Sequence, residues 1–353
     1  MRRGVPSNPF GQSRARPPWL VAALGAAAVV LVAVVLAGLW GAYSYWGPGP
    51  KAERGAETTV ILRRGAGLSE IADALDRSGA IGSSTLFMIA ARANGAAGRL
   101  KAGEYAFPSG ASMATVLDKV RRGQIVRHFV TIPEGVTSEV AVEILMRSPV
   151  LTGAAPIPPE GSLLPETYDV QRGDDRGAVL ARMTSARDRL LTALWTQRAP
   201  DLPVRTPEEA VILASIVEKE TGIAAERPRV AAVFVNRLRQ GMKLESDPTI
   251  IYGLTGGRPL GRGLRKSELA APNPYSTYQI AGLPPGPIAN PGRAAIAAVL
   301  NPPRTEELFF VADGTGGHVF AVSFDQHLKN VERWRAVERQ RAAQAAPAAA
   351  AGQ

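Results

Sequence analysis

Cysteine is absent from the 353-residue sequence, and histidine occurs three times, at His128, His318 and His327. No disulfide can therefore stabilise the fold, and thiolate chemistry is excluded. The histidines have no partner at metal-ligand spacing, and the sequence contains no nucleophile elbow, Walker loop or dinucleotide fingerprint. A structural role is favoured for His318, which lies in a predicted hairpin. We expect no metal and no cofactor, so carboxylates are left to carry acid or base chemistry.

One apolar segment is long enough to cross a membrane. Residues 19–43 contain no charged side chain, and a helix rising about 1.5 Å per residue would span the roughly 30 Å hydrocarbon core. Aromatic residues flank this segment, as in interfacial belts: Trp19, Trp40, Tyr43, Tyr45 and Trp46. The basic residues before it predict that residues 1–18 are a cytoplasmic tail and that the rest is extracytoplasmic, at the inner (plasma) membrane. A cleaved signal peptide is the alternative, although the apolar run exceeds its usual length of about 7–15 residues.

The formal net charge is +10. Four arginines of the predicted cytoplasmic tail contribute to it, which leaves a modest positive excess in the rest of the chain. Such an excess suits an anionic envelope polymer or a lipid surface. Nucleic acid is not an expected partner, because the basic residues are scattered rather than clustered.

The sequence predicts an α+β protein with two extracytoplasmic parts. A Pro/Gly-rich linker covers residues 44–57, and a small α+β module covers residues 58–150. Its predicted strands are 58–62, 104–107 and 125–132, and its predicted helices include 68–75, 84–93 and 113–122. A strand-turn-helix unit recurs in the sequence: at both Gly65–Leu75 and Gly135–Leu145, a glycine turn precedes the start of a helix.

Residues 151–341 are predicted to form a larger α+β domain. Its predicted helices are 178–198, 206–221, 228–240 and 325–341, and a hairpin joins 308–312 to 318–323. Asp247-Pro248 and Asn290-Pro291 each have the pattern of an N-cap followed by a proline. The length of the polar and glycine-rich loop 255–286 indicates a segment that is functional or mobile. The Ala/Gln/Pro-rich residues 342–353 are predicted to be disordered.

Glu218 is the leading candidate for catalysis. It lies near the end of the apolar segment TPEEAVILASIVEKET. In this segment Thr206 and Glu209 have the spacing of a capping box, and Pro207 takes the first helical position. Apolar neighbours and the negative end of the helix dipole both disfavour the ionised carboxyl and raise its pKa, as a general acid requires. Spacing alone favours a structural salt bridge for Glu218 over a catalytic role. For Glu220 we favour a structural partnership with Lys219, Arg227 or Arg237.

The following segments are rich in groups that bind sugars. Aromatic rings suit the sugar faces, and amide, hydroxyl and carboxyl groups suit the sugar hydroxyls. The candidates are Asn236, Asp247, Thr249, Asn273, Tyr275, Thr277 and Tyr278. A helix cap is the more ordinary role for Asp247 and Asn290.

Several long motifs resemble the YceG-like endolytic murein transglycosylases, the MltG family. They are EGSLLPETY, ILASIVEKET, VFVNRLRQGMKLESDPTIIYGL, NPYSTY, GLPPGPIANPG and FFVADGTGGHVFAVSFDQH, in that order. The resemblance implies that Glu218 is the catalytic acid and that residues 58–150 are a LysM-like, peptidoglycan-binding module. It also marks Glu166 and Tyr168 as substrate-binding candidates, with Glu220 alongside them.

The implied reaction cleaves the β-1,4 bond between N-acetylmuramic acid and N-acetylglucosamine without water and leaves a 1,6-anhydro end. The expected partners are peptidoglycan strands, the membrane and peptidoglycan synthases. Two alternatives remain open. A hydrolase would need a water-activating carboxylate such as Glu220 or Asp247. A non-enzymatic, membrane-anchored scaffold would bind the cell wall through the module alone.

Overall fold

The computed structural model describes residues 18–350 of the chain. The chain divides into two compact units, with the division between Val126 and Arg127. The predicted boundary at residues 150 and 151 therefore falls inside the second unit. Residues 1–17, which make up nearly all of the predicted cytoplasmic tail, and residues 351–353 lie outside the described part. The mixed α+β class is confirmed: helices accompany three two-stranded antiparallel sheets in the described residues.

The first unit begins with the long apolar helix α1, Pro18–Trp46. Its stretch Ala22–Trp46 is long and apolar enough to cross a membrane. The large apolar side chains along it are exposed, including Val29, Leu36 and Trp40. A membrane anchor and a signal sequence near the N-terminus share these properties.

The remainder of the first unit packs helices against one sheet. Its elements are β1 (Glu57–Leu62), α2 (Leu68–Arg77), α3 (Ser84–Ala93), β2 (Gly103–Pro108) and α4 (Met113–Arg122). β1 and β2 pair antiparallel, with Val60 opposite Tyr105. Apolar faces of the elements meet in a core that includes Leu75, Phe87 and Val116. The predicted end of α4 is confirmed, because Gly123 adopts a left-handed φ of 71°.

The predicted linker 44–57 is folded onto this unit. The Gly49 amide donates to Gly110 O at 3.0 Å, and the Gly110 amide donates to Pro50 O at 2.9 Å. A Cβ on Gly49 would overlap with the carbonyl of Ala111. Tyr45, at the end of α1, packs against the core of the unit. The glycine and proline content of this segment thus permits close backbone packing, and the predicted linker contacts the first unit through backbone hydrogen bonds.

The second unit opens with β3 (His128–Thr131), α5 (Ser138–Arg147), β4 (Thr167–Val170) and α6 (Arg176–Thr196). β3 is shorter than the predicted strand 125–132. It pairs antiparallel with β4, a strand that the sequence analysis did not predict. Their apolar residues form a core with α5 and α6 that includes Leu145, Leu163 and Met183. This pairing explains why the second unit begins at Arg127 and not at the predicted residue 151, because β3 pairs with a strand that lies after residue 166.

Three helices build the larger core of the second unit. They are α7 (Pro207–Glu220), α8 (Arg227–Arg239) and α11 (Arg293–Leu300), and they bury residues such as Leu213, Phe234 and Ile296. Between α8 and α11 lie α9 (Asp247–Thr255) and the short α10 (Lys266–Ala270), which interrupts the predicted loop 255–286. The predicted hairpin is confirmed as β5 (Phe309–Ala312) and β6 (His318–Ala321), and α12 (Phe324–Ala350) follows.

Several predicted helix ends differ from the structure. Thr206 caps α7 as expected and accepts from the Glu209 amide at 3.1 Å, but the Glu209 carboxyl accepts from the Arg205 amide instead of closing the capping box. Ser246, rather than Asp247, is the N-cap of α9. Gly292, rather than Asn290, is the N-cap of α11. The last helix continues to Ala350, through alanine-rich residues that favour helix and that the sequence predicts to be disordered.

Candidate active site

Glu218 lies near the C-terminal end of α7, with only 4% of its side chain exposed. Both carboxyl oxygens have donors. Oε1 accepts from Nη2 of Arg227 at 3.2 Å, and Oε2 accepts from the Gly292 amide at 2.8 Å. The carboxyl group is thereby fixed between the end of α7, the start of α8 and the start of α11.

Burial raises the pKa of Glu218. Desolvation is the largest cause; the Gly292 amide, Arg227 and Lys219 oppose it, and the negative charge of Glu134 adds to it. The direction matches the prediction from the sequence, where apolar neighbours were expected to favour the protonated acid. A carboxyl with a raised pKa retains its proton at higher pH than an ordinary glutamate does.

Glu134 and Gly135 complete the surroundings of Glu218. They lie in the loop between β3 and α5, where Gly135 has a φ of 74° and packs against the Glu218 side chain. Oε2 of Glu134 lies 3.8 Å from Nη2 of Arg227. Lys219 donates to Gly135 O at 3.2 Å. Two carboxylates and one guanidinium thus form a cluster that the sequence analysis did not predict.

Only one sequence signal could have indicated Glu134. It immediately precedes the glycine of the second strand-turn-helix repeat, Gly135–Leu145, and glycine turns often approach functional groups closely. Arg227 was named only as a partner for Glu220, whereas it pairs with Glu218. Gly292 was noticed as the end of the GLPPGPIANPG motif, but nothing in its spacing indicated that its amide binds a carboxylate.

A second, partly buried carboxyl lies beside this cluster. Glu160 Oε1 accepts from the Ser138 amide at 2.9 Å and from Nδ2 of Asn290 at 3.1 Å, and desolvation raises its pKa. Asn290 is fully buried and also accepts from the Leu163 amide at 3.0 Å. Asn290 is therefore a tertiary connection between distant segments. Its backbone O accepts from the Gly135 amide at 3.0 Å, which fixes the loop that carries Glu134.

Glu220 faces a different region from Glu218. It accepts a hydrogen bond from the Ser246 hydroxyl, and desolvation raises its pKa to about 7, with further repulsion from Asp247. None of its predicted partners Lys219, Arg227 or Arg237 donates a hydrogen bond to it in the contacts described. A cavity of about 380 Å³ is lined by Glu220, Phe234, Arg237, Leu244, Glu245, Asp247, Tyr278, Phe310, Val311 and His327.

Three of the predicted sugar-binding residues therefore share this cavity. Asp247 Oδ1 accepts from the Tyr278 hydroxyl at 2.9 Å, and desolvation, followed by the charge of Asp247, raises the pKa of Tyr278. Arg237 pairs with Glu245 at 3.0 Å. The cavity thus combines acidic groups, a hydroxyl and aromatic rings, a mixture that suits a polyhydroxylated ligand.

Other predicted residues are buried next to this cavity. Thr249 and Thr277 have no exposed surface, and their hydroxyl oxygens lie 3.0 Å apart. The Ser246 amide donates to Thr277 Oγ1 at 2.9 Å. Asn273 donates to Ile250 O at 3.1 Å. These three residues connect α9 to the 273–278 segment and position the residues that line the cavity.

The remaining predicted residues lie in three other surroundings. Tyr275 packs against Tyr252, with ring centroids 4.8 Å apart. Asn236 is buried and donates to Thr305 O at 2.8 Å and to Glu307 O at 3.0 Å. Glu166 is exposed and lies 3.9 Å from the guanidinium of Arg293, next to Gly292.

Tyr168 and His318 make structural contacts. Tyr168 donates to Leu164 O at 2.7 Å, and burial raises its pKa to about 12. The amide of His318 donates to Glu226 at 2.9 Å, and its Nδ1 lies 2.7 Å from the same carboxyl, which ties the hairpin to the start of α8. Within residues 18–350, no group of three or more His, Asp or Glu side chains is arranged to hold a metal ion.

Comparison with known proteins identifies the family. Residues 60–333 match the YceG-like family, and the chain belongs to it. It is 28% identical over 318 residues to a Bacillus subtilis protein named endolytic murein transglycosylase, covering 80% of this chain and 86% of that protein. A Streptococcus pneumoniae protein of the same name is 28% identical over 323 residues, covering 77% of this chain and 57% of that protein. The crystal structure of a YceG-like protein from Listeria monocytogenes aligns with a TM-score of 0.48 and 26% identity, covering 77% of this chain and 98% of that one.

Proposed function

We propose that this protein is an endolytic murein transglycosylase that cleaves the bond between N-acetylmuramic acid and N-acetylglucosamine in nascent peptidoglycan, and so ends strand elongation. One observation carries the proposal. Glu218 is a desolvated carboxyl with a raised pKa, oriented by Arg227 and the Gly292 amide, in a chain of the YceG-like family. The names of the two relatives above support the same reaction.

A single carboxyl can catalyse both halves of this reaction. Protonated Glu218 donates its proton to the glycosidic oxygen as positive charge develops on the muramyl ring. The resulting carboxylate then takes the proton of the C6 hydroxyl, which attacks C1 of the same ring. Because the nucleophile belongs to the substrate, its effective concentration is high and no activated water is needed. Gly292 and Arg227 stabilise the carboxylate between the two proton transfers.

The cavity beside Glu220 is proposed as a sugar subsite. Asp247, Tyr278 and Glu220 supply hydrogen-bonding groups there, and Phe234 and Phe310 supply apolar faces. Asn273, Thr249 and Thr277 position these groups, and Tyr275, which packs against Tyr252, is proposed as a further sugar contact outside this cavity. We propose Glu166, which is exposed beside Arg293, as a contact for the strand. The contacts of Asn236 and Tyr168 favour structural roles.

The proposed location is the plasma (inner) membrane, with α1 as a retained single-pass anchor and both compact units outside the cytoplasm. The packing of Tyr45 and the 47–56 segment against the first unit supports an anchor, because cleavage after α1 would remove part of that packing. We propose the first unit as the LysM-like module that binds glycan, on the basis of its separate core. Such an anchor would concentrate the enzyme at newly made strands and near their synthases.

Product analysis tests the proposal. The purified protein would be incubated with uncrosslinked glycan strands, with Glu218→Gln as the matched variant. Mass spectrometry should detect new 1,6-anhydro ends with the parent protein and none with the folded variant. Strands of unchanged length would instead support a scaffold that only binds the wall.

Hydrolysis is the second candidate function, because Glu134 supplies another carboxylate near Glu218. Both lie close to Nη2 of Arg227, so their nearest oxygens are at most about 7 Å apart. This upper bound admits the roughly 5–5.5 Å separation of retaining two-carboxylate glycosidases. Reducing ends in the products, in place of anhydro ends, would identify this reaction. Glu220 and Asp247 are weaker candidates for the second carboxylate, because their contacts are with Ser246 and Tyr278.

A further inference from the structure

Glu134 has no assigned role, although it shares a guanidinium with the proposed catalytic acid. Nη2 of Arg227 lies 3.2 Å from Glu218 Oε1 and 3.8 Å from Glu134 Oε2. The Arg227 side chain is 9% exposed and that of Glu134 is 43% exposed. One cation thus faces a buried carboxyl on one side and a solvent-accessible carboxylate on the other.

The backbone keeps Glu134 in this position. Gly135 follows it with a left-handed φ of 74°, and the Gly135 amide donates to Asn290 O at 3.0 Å. The Glu134 carboxyl packs directly on Gly292, where a Cβ would overlap with it. Gly292 is also the residue whose amide binds Glu218. Glu134 therefore contacts both groups that orient the acid, the guanidinium and the amide-bearing glycine.

We propose that Glu134 is a positioning residue that sets the protonation of Glu218 by competing for Arg227. This inference rests on the proposed function of Glu218 as the acid. When Glu218 is protonated, Arg227 is neutralised by Glu134, so the buried cation keeps a partner. When Glu218 gives up its proton, Arg227 shifts its pairing toward the new carboxylate. This change of partner by Arg227 stabilises both the protonated and the ionised form of Glu218. The proposed reaction requires both forms, because Glu218 first donates a proton and then accepts one.

The charges around Glu218 set the direction of the expected effects. Arg227 from α8 and Lys219 from α7 favour its carboxylate, as does the Gly292 amide at the start of α11, whereas Glu134 from the loop after β3 favours the protonated acid. Removing the charge of Glu134 should therefore lower the pKa of Glu218, and removing that of Arg227 should raise it. If the two substitutions only loosened the site, they would not be expected to shift the pKa of Glu218 in opposite directions.

The test compares Glu134→Gln and Arg227→Gln with the parent protein, each as the full chain in detergent. Glu139→Gln is the matched control, because Glu139 is 44% exposed and pairs with Arg258, outside this cluster. The pH dependence of kcat/KM for anhydro-end formation would be measured. Glu134→Gln should stay active, with its alkaline limb about one pH unit lower, the size expected for a charge at this distance. Arg227→Gln should move that limb upward, and Glu139→Gln should leave it in place.

Two outcomes would overturn the inference. One is an unshifted alkaline limb in Glu134→Gln, and the other is loss of its activity at every pH, which would indicate that Glu134 takes part directly in the reaction. A titration of the Glu218 carboxyl by ¹³C NMR, assigned with Glu218→Gln, measures the same shift without substrate. If the parent protein forms no anhydro ends, the proposed function fails, while the NMR titration still decides whether Glu134 controls the protonation of Glu218.

Discussion

Replacing Glu220 with glutamine should stabilise the second unit at neutral and alkaline pH. In the folded protein the pKa of Glu220 is raised from 4.5 to about 7, mainly because its carboxyl group is desolvated. The folded state therefore binds this proton more tightly than the unfolded state does. The contribution of the protonated Glu220 carboxyl to the free energy of unfolding is lost as pH rises from about 4.5 to about 7, and this loss is complete above that range. A shift of this size corresponds to about 3 kcal/mol.

Glutamine removes the charge and keeps the oxygen that accepts from the Ser246 hydroxyl. Glu220→Gln should therefore raise the free energy of unfolding by up to about 3 kcal/mol at pH 8 and change it little at pH 4.5. Urea unfolding of the full chain in detergent, followed by tryptophan fluorescence, measures the difference. Glu332→Gln, on the exposed surface of α12, is the control and should change stability by less than about 0.5 kcal/mol. A Glu220→Gln protein that is no more stable than the parent at pH 8 would refute this reasoning.

Three further predictions concern other parts of the chain. Glu218→Gln should reduce the rate of anhydro-end formation by about 10²-fold to 10⁴-fold in a steady-state assay, because one carboxyl serves as acid and base. Calorimetry should show that the variant is folded. Near-parental activity would contradict the assignment of Glu218 as the acid. Gly49→Ala should loosen the 47–56 segment, because a Cβ there meets the Ala111 carbonyl. Limited proteolysis should then cut this segment faster, with Gly55→Ala as a control for the strain of substitution alone. Equal cleavage rates for Gly49→Ala and the parent would argue against a docked segment. Asn290→Ala should destabilise the second unit by about 3 kcal/mol, because it leaves the buried Leu163 amide without a partner and removes one of the donors to Glu160. Urea unfolding measures this, and a loss below about 1 kcal/mol would show that other groups replace those bonds.

Local elements of the fold followed from the sequence with few errors. The apolar period and caps predicted α3 and α4 with the observed limits, and α7 to within one residue at each end. These elements are fixed by interactions between residues three or four apart, which the sequence displays directly. The raised pKa of Glu218 was predictable for the same reason, since its apolar neighbours lie on its own helix.

The tertiary structure alone decided what surrounds that carboxyl. Glu134, Arg227 and Gly292 are separated from Glu218 by many residues or by a change of element, so no spacing rule connects them. The same holds for the pairing of β3 with β4 and for the packing of the 47–56 segment, because both depend on backbone contacts between distant residues. Asp247 and Asn290 had the sequence pattern of helix caps, yet long-range hydrogen bonds gave them other partners. The sequence by itself determined that Glu218 ends an apolar helix, where burial disfavours its charge, and the fold determined which charges surround that carboxyl, because only the folded chain brings those residues together.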